Sequence, residues 1–309
     1  MDRRQFLLTL PALGVAPAYG ADATALAAGE PSQTALGAAS HRAVHQMLES
    51  PLVFEDPLAL RILGGERVKW IGRNIDRYRT AGSRGMRAFL VTRARFAEDG
   101  LAQSLREGTR QYVVLGAGLD TFAYRNPFGA RLRVFEVDHP ATQAWKRAQL
   151  REQAIEVPRS MVFVPVDFET QSLAARLRQA GLKRSESVFV SWLGVTMYLT
   201  RDAVLHTLRV VAASCARGSR IVFDFSLPDE ALTEPERQAR AARAERVAAI
   251  GEPWISRFDP ASLEQAMTAM GYGQARSIGA AEANERYFAD RTDGFRFRGS
   301  SGRLMTARV

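Results

Sequence analysis

An α/β fold built on a largely parallel sheet is predicted by three observations. From Gln111 onward, five short apolar runs recur: "QYVVLGAG", "LRVFEVD", "MVFVPVD", "SVFVSWLG" and "RIVFDFS". They are rich in Val and Phe and each closes on a Gly, Asp or Ser, as strands ending in turns do. The gaps between them are long enough for a helix, the spacing that parallel strands need for their crossovers. Finally, 309 residues at 46% hydrophobic content suffice for one large domain with an insertion.

Taken in order, the chain opens with "MDRRQFLLTLPALGVAPAYGADA". An arginine pair, an apolar run from Phe6 to Val15 and small residues around Ala18 to Ala23 give the layout of a secretory signal, and Arg3-Arg4 resembles the twin-arginine export type. Residues 1 to about 28 are therefore read as a signal-like or disordered segment outside the fold. From Ser32, apolar residues at three- and four-residue spacings predict a helical cover over residues 32 to 108, broken by Pro51 and Pro57. Its second half, "ERVKWIGRNIDRYRTAGSRGMRAFLVTRARFAEDGLAQSLREG", reads as two amphipathic helices divided near Gly82 to Gly85. The sheet core follows over residues 111 to 309, with an Ala/Arg-rich helical insertion at about 229 to 258. A helix from Pro260 and late strands near "ARSIG" and "GRLMTARV" complete it.

Charge narrows the partners. The 42 Lys+Arg against 33 Asp+Glu give a net charge of +9, carried by arginines spread along the chain, with lysine only at 69, 146 and 183. That spread suits a solvated surface or acidic ligands better than a nucleic-acid stripe, so no nucleic-acid partner is expected. No stretch approaches the ~20 apolar residues of a membrane span. A lone Cys215 leaves no internal disulfide and no Cys-rich metal site.

The chemistry concentrates where the first strands end. Gly116 and Gly118 stand at the first strand-to-helix turn, where missing side chains permit a tight turn and close approach of a ligand. Thr121 occupies the place of a third glycine in a dinucleotide fingerprint. Twenty residues after Gly118 the second strand ends in Asp138, a carboxylate placed for ribose hydroxyls. Both nicotinamide and S-adenosylmethionine folds use such an acid. The third strand ends in Asp167-Phe168, an acid and an aromatic able to bond and cover an adenine, which favours S-adenosylmethionine.

At these residues the chain resembles the S-adenosylmethionine-dependent methyltransferases similar to leucine carboxyl methyltransferases and the polyketide O-methyltransferases related to them. The matching words are "LGAGLDTFAYR", "VFEVDHPATQAWKRAQL", "FVPVDFE", "SWLGVTMYLT", "GEPWISRFDPASL" and "NERYFADRTDGFR", covering about Ser32 to the C-terminus. The resemblance implies a Rossmann-like seven-stranded methyltransferase sheet, its last strand antiparallel, under a helical N-terminal cover. It implies S-adenosylmethionine as cofactor, with Gly116 and Gly118 lining the methionine moiety, Asp138 the ribose, and Asp167 and Phe168 the adenine. An arginine before the glycine loop would pair with the methionine carboxylate: Arg93 in "VTRARFAED" matches best, Arg95 second.

Many such relatives carry an acid just after the fourth strand, whereas this chain reads Ser191-Trp192-Leu193-Gly194-Val195-Thr196-Met197-Tyr198. Thr196 and Tyr198 remain as candidate catalytic groups. A carboxylate acceptor is already ionised at neutral pH and needs no base, whereas a hydroxyl does. The expected activity is thus O-methylation of a carboxylate or hydroxyl on a small, acidic molecule. The alternatives are a nicotinamide-dependent oxidoreductase and a non-catalytic S-adenosylmethionine-binding protein. Since the methyl donor is made in the cytoplasm, a cytoplasmic enzyme is expected, with twin-arginine export as the other possibility.

Other features have simpler readings. His41 and His45 lack the HExxH pattern, and no metal is expected. Arg73, Arg77, Arg84 and Arg87 suit a solvated helix face better than a basic lid. Glu236 and Arg240 have the spacing of an i,i+4 pair. Asp224, after the fifth strand, suits substrate binding or a turn cap.

Overall fold

The computed structural model describes residues 32 to 168, 170 to 299 and 301 to 309. The signal-like segment lies outside them. Strands β1 (Gln111–Leu115), β2 (Arg133–Asp138), β3 (Met161–Pro165), β4 (Val188–Trp192), β5 (Arg220–Ser226), β6 (Gly273–Ile278) and β7 (Gly302–Arg308) form one seven-stranded sheet in the spatial order β3-β2-β1-β4-β5-β7-β6. The first five pair in parallel, while β7 is antiparallel to both β5 and β6. The strand order reverses at β1, where β2 leaves to one side and β4 to the other, opening a crevice at the carboxyl ends of the strands.

Both faces of the sheet are covered, and so its strands read as continuous apolar runs. In β1, Val113 and Leu115 join one core with Phe135, Val190 and Phe223, while Tyr112 and Val114 join the other with Val134, Phe189 and Val222. Along the sheet the chain interposes α5 (Phe122–Arg125), α6 (Pro140–Glu152), α7 (Leu173–Gln179) and α8 (Arg201–Ser214). Later come α9 (Glu234–Ala248), α10 (Pro260–Ala269) and α11 (Ala280–Phe288). Local signals start several of them. Pro140 and Pro260 open α6 and α10, and Thr233 and Glu236 form a reciprocal capping box on α9.

The cover consists of α1 (Gln33–Leu48), α2 (Gly65–Arg73), α3 (Ile75–Arg79) and α4 (Ala81–Arg106). The expected division at Gly82 to Gly85 is absent. Breaks fall at Asn74 and Thr80, where the Thr80 hydroxyl caps α4 by accepting the Ser83 N–H, and both glycines lie inside the 26-residue helix. A glycine costs a helix about 1 kcal/mol, which the buried face of α4, from Ala88 to Leu101, outweighs. Arg87 also departs from the solvated face expected of it. It is fully buried and holds Glu49 through Nε and Nη2 at 2.6 to 3.1 Å. Arg240, read as one half of an i,i+4 pair with Glu236, is buried and pairs with Asp229 in front of its own helix. Among the described residues no helix is long and apolar enough to cross a membrane.

Candidate active site

A cavity of about 990 Å³ opens at the carboxyl ends of β1 to β5 and is lined by Arg93, Gly116, Gly118, Asp138, Asp167, Phe168 and Tyr198. Residues named from one loop, one cover helix and three strand ends are thus brought to one space.

The glycine turn follows from its hydrogen bonds. Val137 O accepts both the Gly116 and Ala117 N–H groups, at 2.9 and 3.1 Å, bending β1 back over β2. Gly116 is left-handed (φ 64°), and a Cβ there would lie 2.4 Å from Val195 Cγ2, so no other residue fits without displacing the segment after β4. Gly118 (φ 41°) donates its N–H to Asp138 Oδ2 at 2.6 Å, and the His139 N–H reaches Oδ1 at 2.7 Å. Each carboxylate oxygen keeps a lone pair for a further donor. Burial raises the Asp138 pKa above its ordinary value, against the pull of the two N–H groups.

Thr121 belongs to a buried network. Its hydroxyl donates to Asp56 Oδ2 at 2.8 Å and receives Arg125 Nε at 3.1 Å, while Asp56 also pairs with Arg42. Asp56 thus faces two guanidinium groups, Arg42 and Arg125, and both of these line the cavity.

Asp167 and Phe168 follow β3 directly. Asp167 Oδ2 accepts the Thr170 hydroxyl at 2.8 Å, and Phe168 packs against the core beneath the cavity.

Arg93 reaches the cavity from α4. Its Nη1 lies 2.9 Å from Asp224 Oδ2, and the other oxygen of Asp224 accepts the Gly194 N–H at 2.6 Å. Gly194 is left-handed (φ 73°), and a Cβ there would lie 2.7 Å from Arg93 Nη2. The guanidinium therefore rests on bare backbone. Arg95, the second candidate, pairs with Asp99 at 2.8 Å and does not line the cavity. Asp224, read from sequence as a substrate binder or a turn cap, is fully buried on β5 and holds Arg93 and Gly194 instead.

The two candidate catalytic groups part company. Tyr198 lines the cavity, and burial raises its hydroxyl pKa above the ordinary value. Thr196 is fully buried outside the lining and donates its hydroxyl to the Asp224 carbonyl at 2.6 Å. His41 also lines the cavity, its pKa lowered to about 4 by burial and then by Arg87. His45 is spent elsewhere: Nδ1 meets Glu49 at 3.0 Å and Nε2 accepts the Val53 and Phe54 N–H groups. Among the described residues no His, Cys, Asp or Glu cluster is arranged to hold a metal.

Two further groups shape the site without a local sequence signal. Glu252, past the end of α9, accepts hydrogen bonds from the Ser32 hydroxyl (3.0 Å), the Gln33 and Thr34 N–H groups (2.9 and 3.1 Å) and the Thr34 hydroxyl, joining the start of α1 to the insertion. The return leg of the insertion is bonded to the segment after β4. The Ile255 N–H donates to Met197 O at 2.6 Å and the Ser256 hydroxyl to Thr196 O at 2.7 Å.

Comparison with known proteins agrees with this geometry. The sequence profile described as "Leucine carboxyl methyltransferase" matches residues 35–212. YktD of Bacillus subtilis (strain 168), provisionally named an S-adenosyl-L-methionine-dependent methyltransferase, is 30% identical over 287 residues, 85% of this chain and 93% of its own length. A Mycobacterium ulcerans (strain Agy99) protein under the same provisional name is 32% identical over 228 residues, 70% of this chain and 72% of its own length. Among solved structures, a DUF574 family protein from Streptomyces avermitilis superposes with a TM-score of 0.56 at 16% identity, over 88% of this chain and 96% of its own. One provisionally named a methyltransferase, from Thermobifida fusca, gives 0.54 at 15% identity, over 92% and 97%.

Proposed function

The chain belongs to the leucine carboxyl methyltransferase family and is an S-adenosylmethionine-dependent methyltransferase, and we propose that it methylates a carboxylate or hydroxyl oxygen of a small molecule. The carboxylate is the better substrate on physical grounds. The observation that carries this reading is the engagement of Asp224: the carboxylate beside the segment after β4 is committed to Arg93 and the Gly194 N–H.

The residues present fit the cofactor. Asp138, with two oxygens pinned by backbone and lone pairs to spare, suits a pair of ribose hydroxyls. Arg93, lining the cavity, supplies the cation for an amino-acid carboxylate, and Asp167 and Phe168 suit an adenine. Gly116 and Gly118 let the ligand lie against the backbone.

Bound S-adenosylmethionine supplies a methyl group on a positive sulfur, open to in-line displacement by an oxygen. The chain's own part is orientation and exclusion of water, which together supply most of what such a displacement needs. A hydroxyl acceptor would ask for a base near neutrality. His41, lowered to about 4, is a weak one, and the raised Tyr198 hydroxyl keeps its proton at neutral pH. A carboxylate asks for none. Tyr198 is then a hydrogen-bond donor that places the acceptor oxygen, and Thr196 positions the strand end through Asp224. The reaction belongs in the cytoplasm, where the donor is made; cell fractionation of the host checks this.

The test uses the full chain with methyl-labelled S-adenosylmethionine and a small-molecule extract of its host. Label released as methanol by mild alkali identifies a methyl ester, whereas alkali-stable label identifies a methyl ether. No transfer to any small molecule would overturn the reading.

A further inference from the structure

Helix α9 contributes almost nothing to the core. Of its 15 residues only Arg240 is buried, its Nη1 donating to the Leu227 carbonyl at 2.6 Å and its guanidinium paired with Asp229. Polar anchors hold the helix to the segment after β5: Arg240 at Leu227 and Asp229, and Arg237 at the Leu232 carbonyl at 2.7 Å. The half of the cavity over β1 to β3 holds Gly118, Asp138, Asp167 and Phe168.

Spacing then places Arg243 and Arg246 on the same face as Arg240, and all three line the cavity. Arg243 and Arg246 are not anchored. Neither has an ion pair among the described residues, and Arg243 Nε is buried without a hydrogen-bond partner. The acids lining the cavity are elsewhere or occupied: Glu252 by the start of α1, Asp138 by two backbone N–H groups, and Asp120 and Asp167 at the ends of β1 and β3. Two adjacent guanidinium groups facing a shared cavity repel each other, and burial with Arg246 beside it holds the Arg243 pKa below its ordinary value. An anion between them would relieve both costs.

The same face carries apolar side chains one turn further on. Val247 follows Arg243 by four residues and Ile250 follows Arg246 by four. With Trp254 both line the cavity, and Ile250 is 45% exposed, high for so large an aliphatic side chain. A cavity of about 990 Å³ stands at the upper end of ligand sites, roughly 300 to 1,000 Å³, and has room for donor and acceptor together.

We propose that the acceptor is an amphiphilic organic anion whose charged group is held by Arg243 and Arg246 while its apolar part lies along Val247, Ile250 and Trp254. The proposal rests on the methyltransferase reading for the word acceptor, but the anion site stands on α9 alone.

Calorimetry on the full chain, with and without saturating S-adenosylhomocysteine, tests it with three probes of one chain length: octanoate, octyl phosphate and 1-octanol. Both anions, or one of them, should bind at least about tenfold tighter than 1-octanol, a difference of about 1.4 kcal/mol. Preference for octanoate assigns a carboxylate and preference for octyl phosphate a phosphate monoester. In Arg243→Gln/Arg246→Gln that advantage should vanish while S-adenosylhomocysteine affinity and the unfolding midpoint stay within error. Arg243→Lys/Arg246→Lys should retain most of it. Equal binding of 1-octanol and the anions, or an anion preference surviving in the Gln variant, would overturn the proposal. Failure of S-adenosylhomocysteine to bind the unaltered chain would instead overturn the methyltransferase reading, and the probe comparison without it would still decide the anion site.

Discussion

Arg93 and Asp224, 131 residues apart in sequence, meet across the cavity floor with Nη1 2.9 Å from Oδ2, and the bare backbone of Gly194 lies against the guanidinium. Asp224 is fully buried and Arg93 nearly so, with 13% of its side chain exposed. The carboxylate therefore fixes where the arginine points, engaging it through Nη1.

Removing one partner strands the other. Arg93→Met should destabilise the fold by about 3 to 5 kcal/mol, the cost of an unpaired buried charge, and Arg93→Met/Asp224→Asn should recover most of it. Both variants should bind S-adenosylhomocysteine more weakly, with adenosine affinity nearly unchanged. Urea unfolding and calorimetry separate the two effects. Equal losses for both ligands in the restabilised double variant would make Arg93 a structural residue only.

Asp138→Ala should cost about 2 to 4 kcal/mol of S-adenosylhomocysteine affinity, the value of charge-assisted bonds to two hydroxyls. Calorimetry giving an unchanged affinity would remove Asp138 from the site.

Gly116→Ala combines a left-handed backbone with a Cβ 2.4 Å from Val195 Cγ2. Its backbone strain alone should cost about 1 to 3 kcal/mol. Adding Val195→Ala should relieve the steric part and restore some ligand affinity, while leaving the backbone part. A Gly116→Ala protein as stable as the parent would show that the segment after β4 moves freely.

Stability should depend on pH through two groups of opposite sense. Burial, then Arg87, lowers His41 from 6.5 to about 4, so between those values the unfolded chain binds a proton the native one refuses, and stability rises with pH. Burial raises Glu136 from 4.5 to about 7 despite Lys146 at 2.8 Å. There the native chain keeps a proton the unfolded one has lost, and stability falls with pH. Neither slope can exceed about 1.4 kcal/mol per pH unit. Between pH 5 and 6.5, His41→Asn should tilt the stability curve downward and Glu136→Gln should tilt it upward. Urea titrations across that range that gave three parallel curves would exclude both assignments.

What could be read from sequence was whatever depends on neighbours along the chain. Apolar runs gave the strands, and the spacing from Gly118 to Asp138 marked a carboxylate beside the glycine turn, where the Gly118 N–H in fact bonds to it at 2.6 Å. Gly82 and Gly85 misled because the Thr80 cap and the buried face of α4 outweigh their helix cost. Arg87 could not be placed because Glu49, which buries it, lies 38 residues upstream. Thr196 looked chemically available, yet its hydroxyl serves the Asp224 carbonyl. Arg243 and Arg246 sat in a stretch whose composition suits a solvated helix, and the bonds that tie the insertion to the cavity, Ile255 to Met197 and Glu252 to the start of α1, are long-range in sequence.

The place of β7 has a consequence for synthesis. It follows β6 in the chain yet lies between β5 and β6 in the sheet, bonded to both. While the ribosome is still making residues 273 to 301, β5 is an open edge carrying Phe223 and Phe225, and β6 has no strand beside it. Exposed edges of that kind invite pairing with other chains. The nascent protein should therefore be most prone to aggregate late in translation, until Gly302–Arg308 emerges and fills the gap as a closing wedge.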